Sequence, residues 1–134
     1  MFATLDTASR RLRFPRERDV IITDTVGFIR NLPSDLFSAF SATLEELKDA
    51  NLLLHIVDMS NPRFEQHMSS VDKILSDLGL SQKTQLLVFN KEDMVDKEEA
   101  FAICRRFDAV SISALQPESF YKLLDAIEIK LWPL

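Results

Sequence analysis

Apolar segments and amphipathic segments alternate along the chain from residue 19 onward. Short runs rich in leucine and β-branched residues predict β-strands at 19–23, 51–58, 85–89 and 109–113. Apolar residues three and four positions apart predict helices at 34–47, 61–78, 95–106 and from Pro117 onward. Strands that alternate with helices indicate an α/β fold, with a doubly wound, mostly parallel sheet and flanking helices.

Two shorter features refine this pattern. Asn61 is a good N-cap, Pro62 suits a first helical turn and Gly79 is a typical terminator, so we expect a helix between them. Residues 7–18 contain arginine and proline and predict an edge strand that leads into the strand at 19–23.

Charge is distributed unevenly along the sequence. Segment 10–18 has five arginines and one glutamate and carries +4, which leaves −9 on the rest of a chain whose net charge is −5. An acidic body argues against general nucleic-acid binding, although a basic segment can contact phosphate locally. A solvated edge hairpin is the alternative reading of the same arginines.

Length and composition fit one cytoplasmic domain. The chain has 134 residues and is 46% hydrophobic, which is enough for a core. None of its apolar runs is long enough to cross a bilayer, and the N-terminal sequence lacks the pattern of a secretory signal. Cys104 is the single cysteine, so an internal disulfide is excluded and a reducing compartment is favoured.

Polar residues follow three of the predicted strands. Asp24 ends the first, Asn90-Lys91-Glu92-Asp93 ends the third, and Ser113-Ala114-Leu115 ends the fourth. Ligands of open parallel sheets bind beyond the carboxyl ends of the strands. We therefore expect these three segments to converge on one ligand.

The segment Asn90–Asp93 has the chemistry of guanine recognition. Asp93 can accept hydrogen bonds from N1–H and the exocyclic amine of guanine, a donor pair that adenine lacks. Asn90 can bond the base edge and brace the loop, and the alkyl stem of Lys91 can cover the purine face. Read alone, the segment is also compatible with a polar loop in which Asp93 lies near a helix start.

The other two segments are less specific by themselves. Asp24 is placed like the carboxylate that holds Mg²⁺ in a nucleoside triphosphatase, and the N–H of Gly27 can approach a terminal phosphate. An Asp before Gly at a strand end is equally typical of a simple turn. The triplet at 113–115 can add a backbone N–H to guanine O6. The nucleotide site is predicted from the order and spacing of all three segments together.

Several longer matches make the sequence resemble a known family. They are FATLD at 2–6, the arginine pair at 10–11, DTVGFIRNLP at 24–33, AFSATLEEL at 39–47, LLLHIVD at 52–58, NKED at 90–93 and SAL at 113–115. With these matches the chain resembles the HflX family of ribosome-associated GTPases, within the Ras-like P-loop superclass. The resemblance runs from residue 1 to about residue 131.

The resemblance implies a function and further site residues. It implies binding of GTP or GDP with Mg²⁺, GTP hydrolysis, and association with the large ribosomal subunit. Thr4 and Asp24 match metal-binding positions, and Gly27 and Phe28 match the catalytic part of the second switch. Phe28 stands where Ras-like enzymes have the glutamine that orients the attacking water, which a phenyl ring cannot do. Phe28 can equally be a packing residue.

One part of the family pattern is missing from the sequence. The chain has two glycines, Gly27 and Gly79, and neither begins the phosphate-binding loop G-x-x-x-x-G-K-S/T. We therefore expect residues 1–134 to be the C-terminal portion of a HflX-type GTPase domain, from the first switch to the last helix. Without its first strand and helix the domain has a gap, which direct strand pairing, a strand-donating partner or the missing segment would have to fill.

Two alternatives to a GTPase portion remain open at this stage. The chain alone is expected to be a weak or inactive hydrolase, so a degenerate GTPase that retains guanine recognition without hydrolysis fits the same residues. An unrelated parallel α/β domain would require every ordered match to be coincidental.

Overall fold

The structure, a computed structural model, describes the backbone of residues 8–14 and 18–24 and both backbone and side chains of residues 47–133. Residues 47–49 are helical, whereas the rest of the helix expected at 34–47 lies outside the described residues. The chain divides into two compact units, Met1–Ala50 and Asn51–Leu134.

The first unit contains an antiparallel strand pair. Strand β1 is Ala8–Phe14 and strand β2 is Arg18–Asp24. Ala8 pairs with Asp24 and Phe14 pairs with Arg18, so the two strands are in register along their full length. This confirms the strand predicted at 19–23 and the preceding strand, which forms a hairpin with it.

The second unit is a three-stranded parallel sheet with helices between its strands. Its elements are β3 (Leu53–Asp58), α1 (Phe64–Asp77), β4 (Gln85–Asn90), α2 (Lys97–Phe107), β5 (Val110–Ser111) and α3 (Tyr121–Leu131). The strand order is β3-β4-β5, and both neighbouring pairs are parallel. The α/β class with a mostly parallel sheet and flanking helices is confirmed.

The core lies on both faces of the central strand β4. Phe89 and Val88 are completely buried. Phe89 packs with Val57, Met59 and Ala100, and a set of partly buried apolar residues from α1 and α2 surrounds this cluster. Helix α3 contacts β4 and β5, and its Ile127 is buried. On β3, Ile56 is 50% exposed, so this strand is not buried on both faces as its continuous apolar run predicts.

Local hydrogen bonds move two element boundaries from their predicted places. Helix α1 begins at Phe64, because the carbonyl and side-chain oxygens of Asn61 accept hydrogen bonds from the N–H groups of Phe64 and Arg63 and form a turn first. Strand β5 ends at Ser111, two residues early. Helix α1 does end before Gly79, which has a φ of 75°.

Among the described residues, no helix has the length and apolar composition that a membrane-spanning helix needs.

Candidate functional site

The carboxyl ends of the parallel strands bring two predicted segments together. Asp58 and Asn90, the last residues of β3 and β4, are neighbours in the sheet, and the N–H of Met59 donates to the Asn90 carbonyl at 3.1 Å. The side-chain oxygen of Asn90 accepts a hydrogen bond from the Ala114 N–H at 3.0 Å. The loop after β4 and the turn after β5 are therefore directly bonded, and they form what we call the reading edge, residues 90–93 and 113–115.

Lys91 has an unusual backbone conformation in this loop. Its φ of 67° lies in the left-handed region, which costs a residue with a Cβ about 1 kcal/mol. The loop then forms a single 3₁₀ turn over Glu92–Met94. The Lys91 Nζ lies 3.1 Å from Asp58 Oδ2, so the alkyl stem extends from the loop back across the end of β3.

Asp58 is a site residue that the sequence analysis missed. Its Oδ1 accepts hydrogen bonds from the Ser60 hydroxyl at 2.6 Å and the Ser60 N–H at 2.9 Å. The Ser60 hydroxyl, and after it Lys91, lower the pKa of the Asp58 carboxyl, so the charged form that holds Lys91 is favoured. The signal available in the sequence is the Asp-x-Ser spacing at the end of an apolar run, which is typical of a side-chain-capped turn.

Asp93 is exposed on the 3₁₀ turn. Within residues 47–133, no hydrogen bond or ion pair occupies its carboxylate. Glu92, the residue before it, instead directs its carboxylate to Ser111 and Lys122. Two adjacent carboxylates therefore have different environments: that of Glu92 is bonded to other elements, and Asp93 is exposed.

Hydrogen bonds of the Ser119 hydroxyl hold the turn after β5 in place. The Ser113 N–H donates to the hydroxyl oxygen of Ser119 at 2.9 Å, and this hydroxyl lies within hydrogen-bonding distance of the carbonyls of Ser113 and Gln116. Ser113 is 1% exposed, and its own hydroxyl has no partner in the described part of the chain. Leu115, in contrast, is 85% exposed.

The remaining predicted site residues lie in the first unit. Asp24 is the last residue of β2, where its backbone pairs with Ala8, and its side chain is outside what the structure describes. Thr4, Gly27 and Phe28 lie outside the described residues. In the described part of the chain, no three His, Cys, Asp or Glu side chains are grouped closely enough to hold a metal ion.

Comparison with known proteins gives consistent matches. A family model described as 50S ribosome-binding GTPase matches residues 1–91. GTPase HflX from Caldanaerobacter subterraneus subsp. tengcongensis is 45% identical over 132 residues, which are 98% of this chain and 30% of that protein. GTPase HflX from Escherichia coli is 41% identical over 99 residues, which are 74% of this chain and 23% of that protein.

A solved structure gives the same fold. The crystal structure of a mutation variant of SsGBP aligns with a TM-score of 0.70 and 24% identity, covering 94% of this chain and 48% of that one. The chain spans about 30% of the length of the first curated relatives it matches. The family model covers more than half of the chain and these relatives match most of it, so the chain belongs to the 50S ribosome-binding GTPase family and, within it, to the HflX GTPases.

Proposed function

We propose that this chain recognises guanine nucleotides through the reading edge, as the portion of a HflX-type GTPase domain that runs from the first switch to the last helix. The observation that carries the proposal is the hydrogen bond between Asn90 and Ala114, which joins the two proposed base-reading segments beside the exposed carboxylate of Asp93.

The chemistry of Asp93 favours guanine over adenine. An ionised carboxylate is an acceptor only, and guanine offers it two donors, N1–H and the exocyclic amine at C2. Adenine presents an acceptor at N1 and no amine at C2, so it can make neither of these hydrogen bonds with the carboxylate. Asn90, Lys91, Ala114 and Leu115 are proposed to hold and cover the base beside it, and the buried Ser113 to support the turn from inside.

GTP hydrolysis and Mg²⁺ binding are proposed for the domain as a whole. Thr4 and Asp24 would supply a hydroxyl and a carboxylate oxygen, which are ligands that Mg²⁺ prefers, and the ion would neutralise phosphate charge. Gly27 and Phe28 would lie at the γ-phosphate. The 134 residues contain no G-x-x-x-x-G-K-S/T loop. We therefore assign base recognition to this chain and propose that hydrolysis requires a phosphate loop that these residues do not supply.

Family membership supports the ribosome as the proposed binding partner. The matching family is described as 50S ribosome-binding GTPase, which supports a proposed association with the large ribosomal subunit and, through it, a proposed location in the cytoplasm. A guanine-binding protein without hydrolysis is the second candidate, because the reading edge is assembled while the phosphate loop is absent from the sequence.

Titration of the chain with nucleotides tests the proposal. GMP should shift the backbone amide NMR signals of residues 90–93 and 113–115, and AMP at the same concentration should not. Because the chain has no phosphate loop, GDP and GTP should bind only slightly better than GMP. Equal shifts with AMP, or shifts confined to other residues, would refute guanine recognition. Phosphate release from GTP, measured on the same sample, separates the two candidates.

A further inference from the structure

Glu92 lies between Lys91 and Asp93 in the sequence, and its side chain bonds to residues of other elements. Its Oε1 accepts a hydrogen bond from the Ser111 hydroxyl at 2.7 Å and lies 2.9 Å from the Lys122 Nζ. The exposed fractions of the Lys122 and Glu92 side chains are 34% and 20%. The backbone N–H of Glu92 also donates to the Ile112 carbonyl at 3.0 Å. Glu92 is therefore attached to β5 and α3 by both its backbone and its side chain.

Lys122 is a partly buried cation on α3. It is the second residue of α3, directly after the 3₁₀ turn at Pro117–Phe120, and its side chain is 34% exposed. The Glu92 carboxylate compensates this charge from another element, 30 residues away in sequence. The ion pair thus connects the first turn of α3 to the loop that contains Lys91 and Asp93.

We propose that Lys122 is a positioning residue for guanine recognition, acting through Glu92 on the loop at residues 90–93. This inference rests on the proposed function. The left-handed conformation at Lys91 is intrinsically unfavourable, so the loop keeps it only while contacts on either side hold it. Asn90 provides the contact before Lys91, and Glu92 provides the contact after it. Without the Lys122 amine, a carboxylate that is only 20% exposed keeps one hydroxyl donor and gains hydration by turning outward. That rotation would displace Asp93, the next residue.

The experiment compares Lys122→Met with Lys122→Arg and with Lys130→Met, a matched control in the last turn of the same helix. The probes are GMP and IMP, because IMP lacks the exocyclic amine and reports how well Asp93 is aligned. Lys122→Met should weaken GMP binding about tenfold, equivalent to about 1.4 kcal/mol, and bring the Kd values of GMP and IMP closer together. Lys122→Arg and Lys130→Met should keep the wild-type ratio.

A second substitution separates positioning from general destabilisation. In the variant that combines Glu92→Gln with Lys122→Met, the buried charge is gone and the amide oxygen can still accept from Ser111, so the GMP to IMP ratio should largely recover. If Lys122→Met does not fold, Ser111→Ala removes the other donor and should shift the ratio in the same direction. Ser111 is itself buried, so the substitution also affects stability. The nucleotide binding of Ser111→Ala is therefore compared with that of wild type at equal concentrations of folded protein.

The outcomes distinguish this inference from the proposed function. A wild-type chain that prefers GMP to AMP, with a Lys122→Met variant of unchanged Kd and unchanged GMP to IMP ratio, overturns the role of Lys122 and leaves guanine recognition intact. A lower melting temperature with an unchanged ratio also overturns it, since that is the result of a purely structural ion pair. A wild-type chain that does not distinguish GMP from AMP overturns both.

Discussion

The side-chain oxygen of Asn90 accepts a hydrogen bond from the backbone N–H of Ala114, 24 residues further along the chain, at 3.0 Å. This bond joins the end of β4 to the turn after β5, and these two strands are themselves paired only at Val88–Val110 and Phe89–Ser111. Beyond the paired residues, this side-chain contact and the backbone hydrogen bond from Glu92 to Ile112 hold the reading edge together. Asn90 has a structural role in this arrangement in addition to its proposed contact with the base.

Asn90→Ala is expected to lower stability and binding together. It removes the acceptor for the Ala114 N–H and should reduce the free energy of unfolding by about 1 kcal/mol, measured by urea unfolding. Its effect on GMP binding should exceed the effect of Asn90→Asp, which retains an oxygen at the same place. An Asn90→Ala variant that matches wild type in both measurements would show that the bond does not hold the two segments together.

Asp93→Asn is expected to change which purine the chain prefers. The amide can no longer accept from both guanine donors, so GMP affinity should fall by about tenfold or more. Xanthine has a carbonyl where guanine has its amine, and the asparagine N–H₂ can donate to it, so affinity for xanthosine monophosphate should rise.

Asp96→Asn is the matched control for the change at Asp93. It removes the same charge from an exposed residue three positions further on, at the start of α2. Its GMP affinity should equal that of wild type. If Asp93→Asn and Asp96→Asn reduce GMP binding equally, the effect is one of overall charge, and Asp93 does not read the base.

The parts of the fold that sequence predicted well are those set by local periodicity. The strands β3 and β4 and the end of α1 before Gly79 follow directly from apolar runs and one glycine. The meeting of residues 90–93 with 113–115 was also predictable, because parallel strands end at the same edge of a sheet.

The partners of charged side chains were not predictable in the same way. The pairing of Lys91 with Asp58 follows from the register that places Asp58 beside Asn90, and hydrophobic patterning does not determine strand register between distant segments. The pairing of Glu92 with Lys122 depends in addition on how α3 packs against the sheet. Helix α1 begins later than predicted because the Asn61 side chain accepts from the Arg63 N–H and closes a turn before the helix starts.

Asp108→Gly is expected to stabilise the chain. Asp108 ends α2 with a φ of 51°, its N–H donates to the Cys104 carbonyl, and its charge lies at the unfavourable end of the helix dipole. Glycine adopts this conformation without steric cost and removes the charge, so the free energy of unfolding should rise by about 1 kcal/mol. Asp108→Asn should raise the free energy of unfolding by about half as much, because it removes the charge but keeps the strained backbone conformation.

Gly79→Ala is the opposite kind of substitution, because it adds a Cβ to a left-handed residue after the end of α1. Gly79 has a φ of 75°, and a Cβ placed there would meet no atom within 4 Å, so the substitution costs backbone strain alone. Its free energy of unfolding should fall by about 1 kcal/mol. If Asp108→Gly destabilises the chain while Gly79→Ala behaves as expected, the Asp108 side chain has a stabilising contact that outweighs its backbone strain.

Stability is expected to fall as the pH is lowered from about 7.5 to about 5.5, through His55. Burial in β3 lowers the pKa of His55 below 6.5, and the charge of Asp72 partly opposes this shift. The unfolded chain therefore binds a proton at a higher pH than the folded chain does, so stability is complete well above about pH 6.5 and decreases as the pH falls through that value. The decrease stops once the pH is below the folded pKa, since both states are then protonated.

Two substitutions should change the size of this loss of stability in opposite directions. The loss is measured by urea unfolding at the two pH values. His55→Gln removes the titrating group and should reduce the loss of stability. Asp72→Asn removes the charge that raises the pKa of His55, so the pKa falls further and the loss should become larger than in wild type. The pKa of Asp58 is lowered from 3.8, so its contribution is lost only in more acidic solution and does not interfere. An equal loss in all three proteins would show that the protonation of His55 is not linked to folding, because the two substitutions are expected to change the loss of stability in opposite directions.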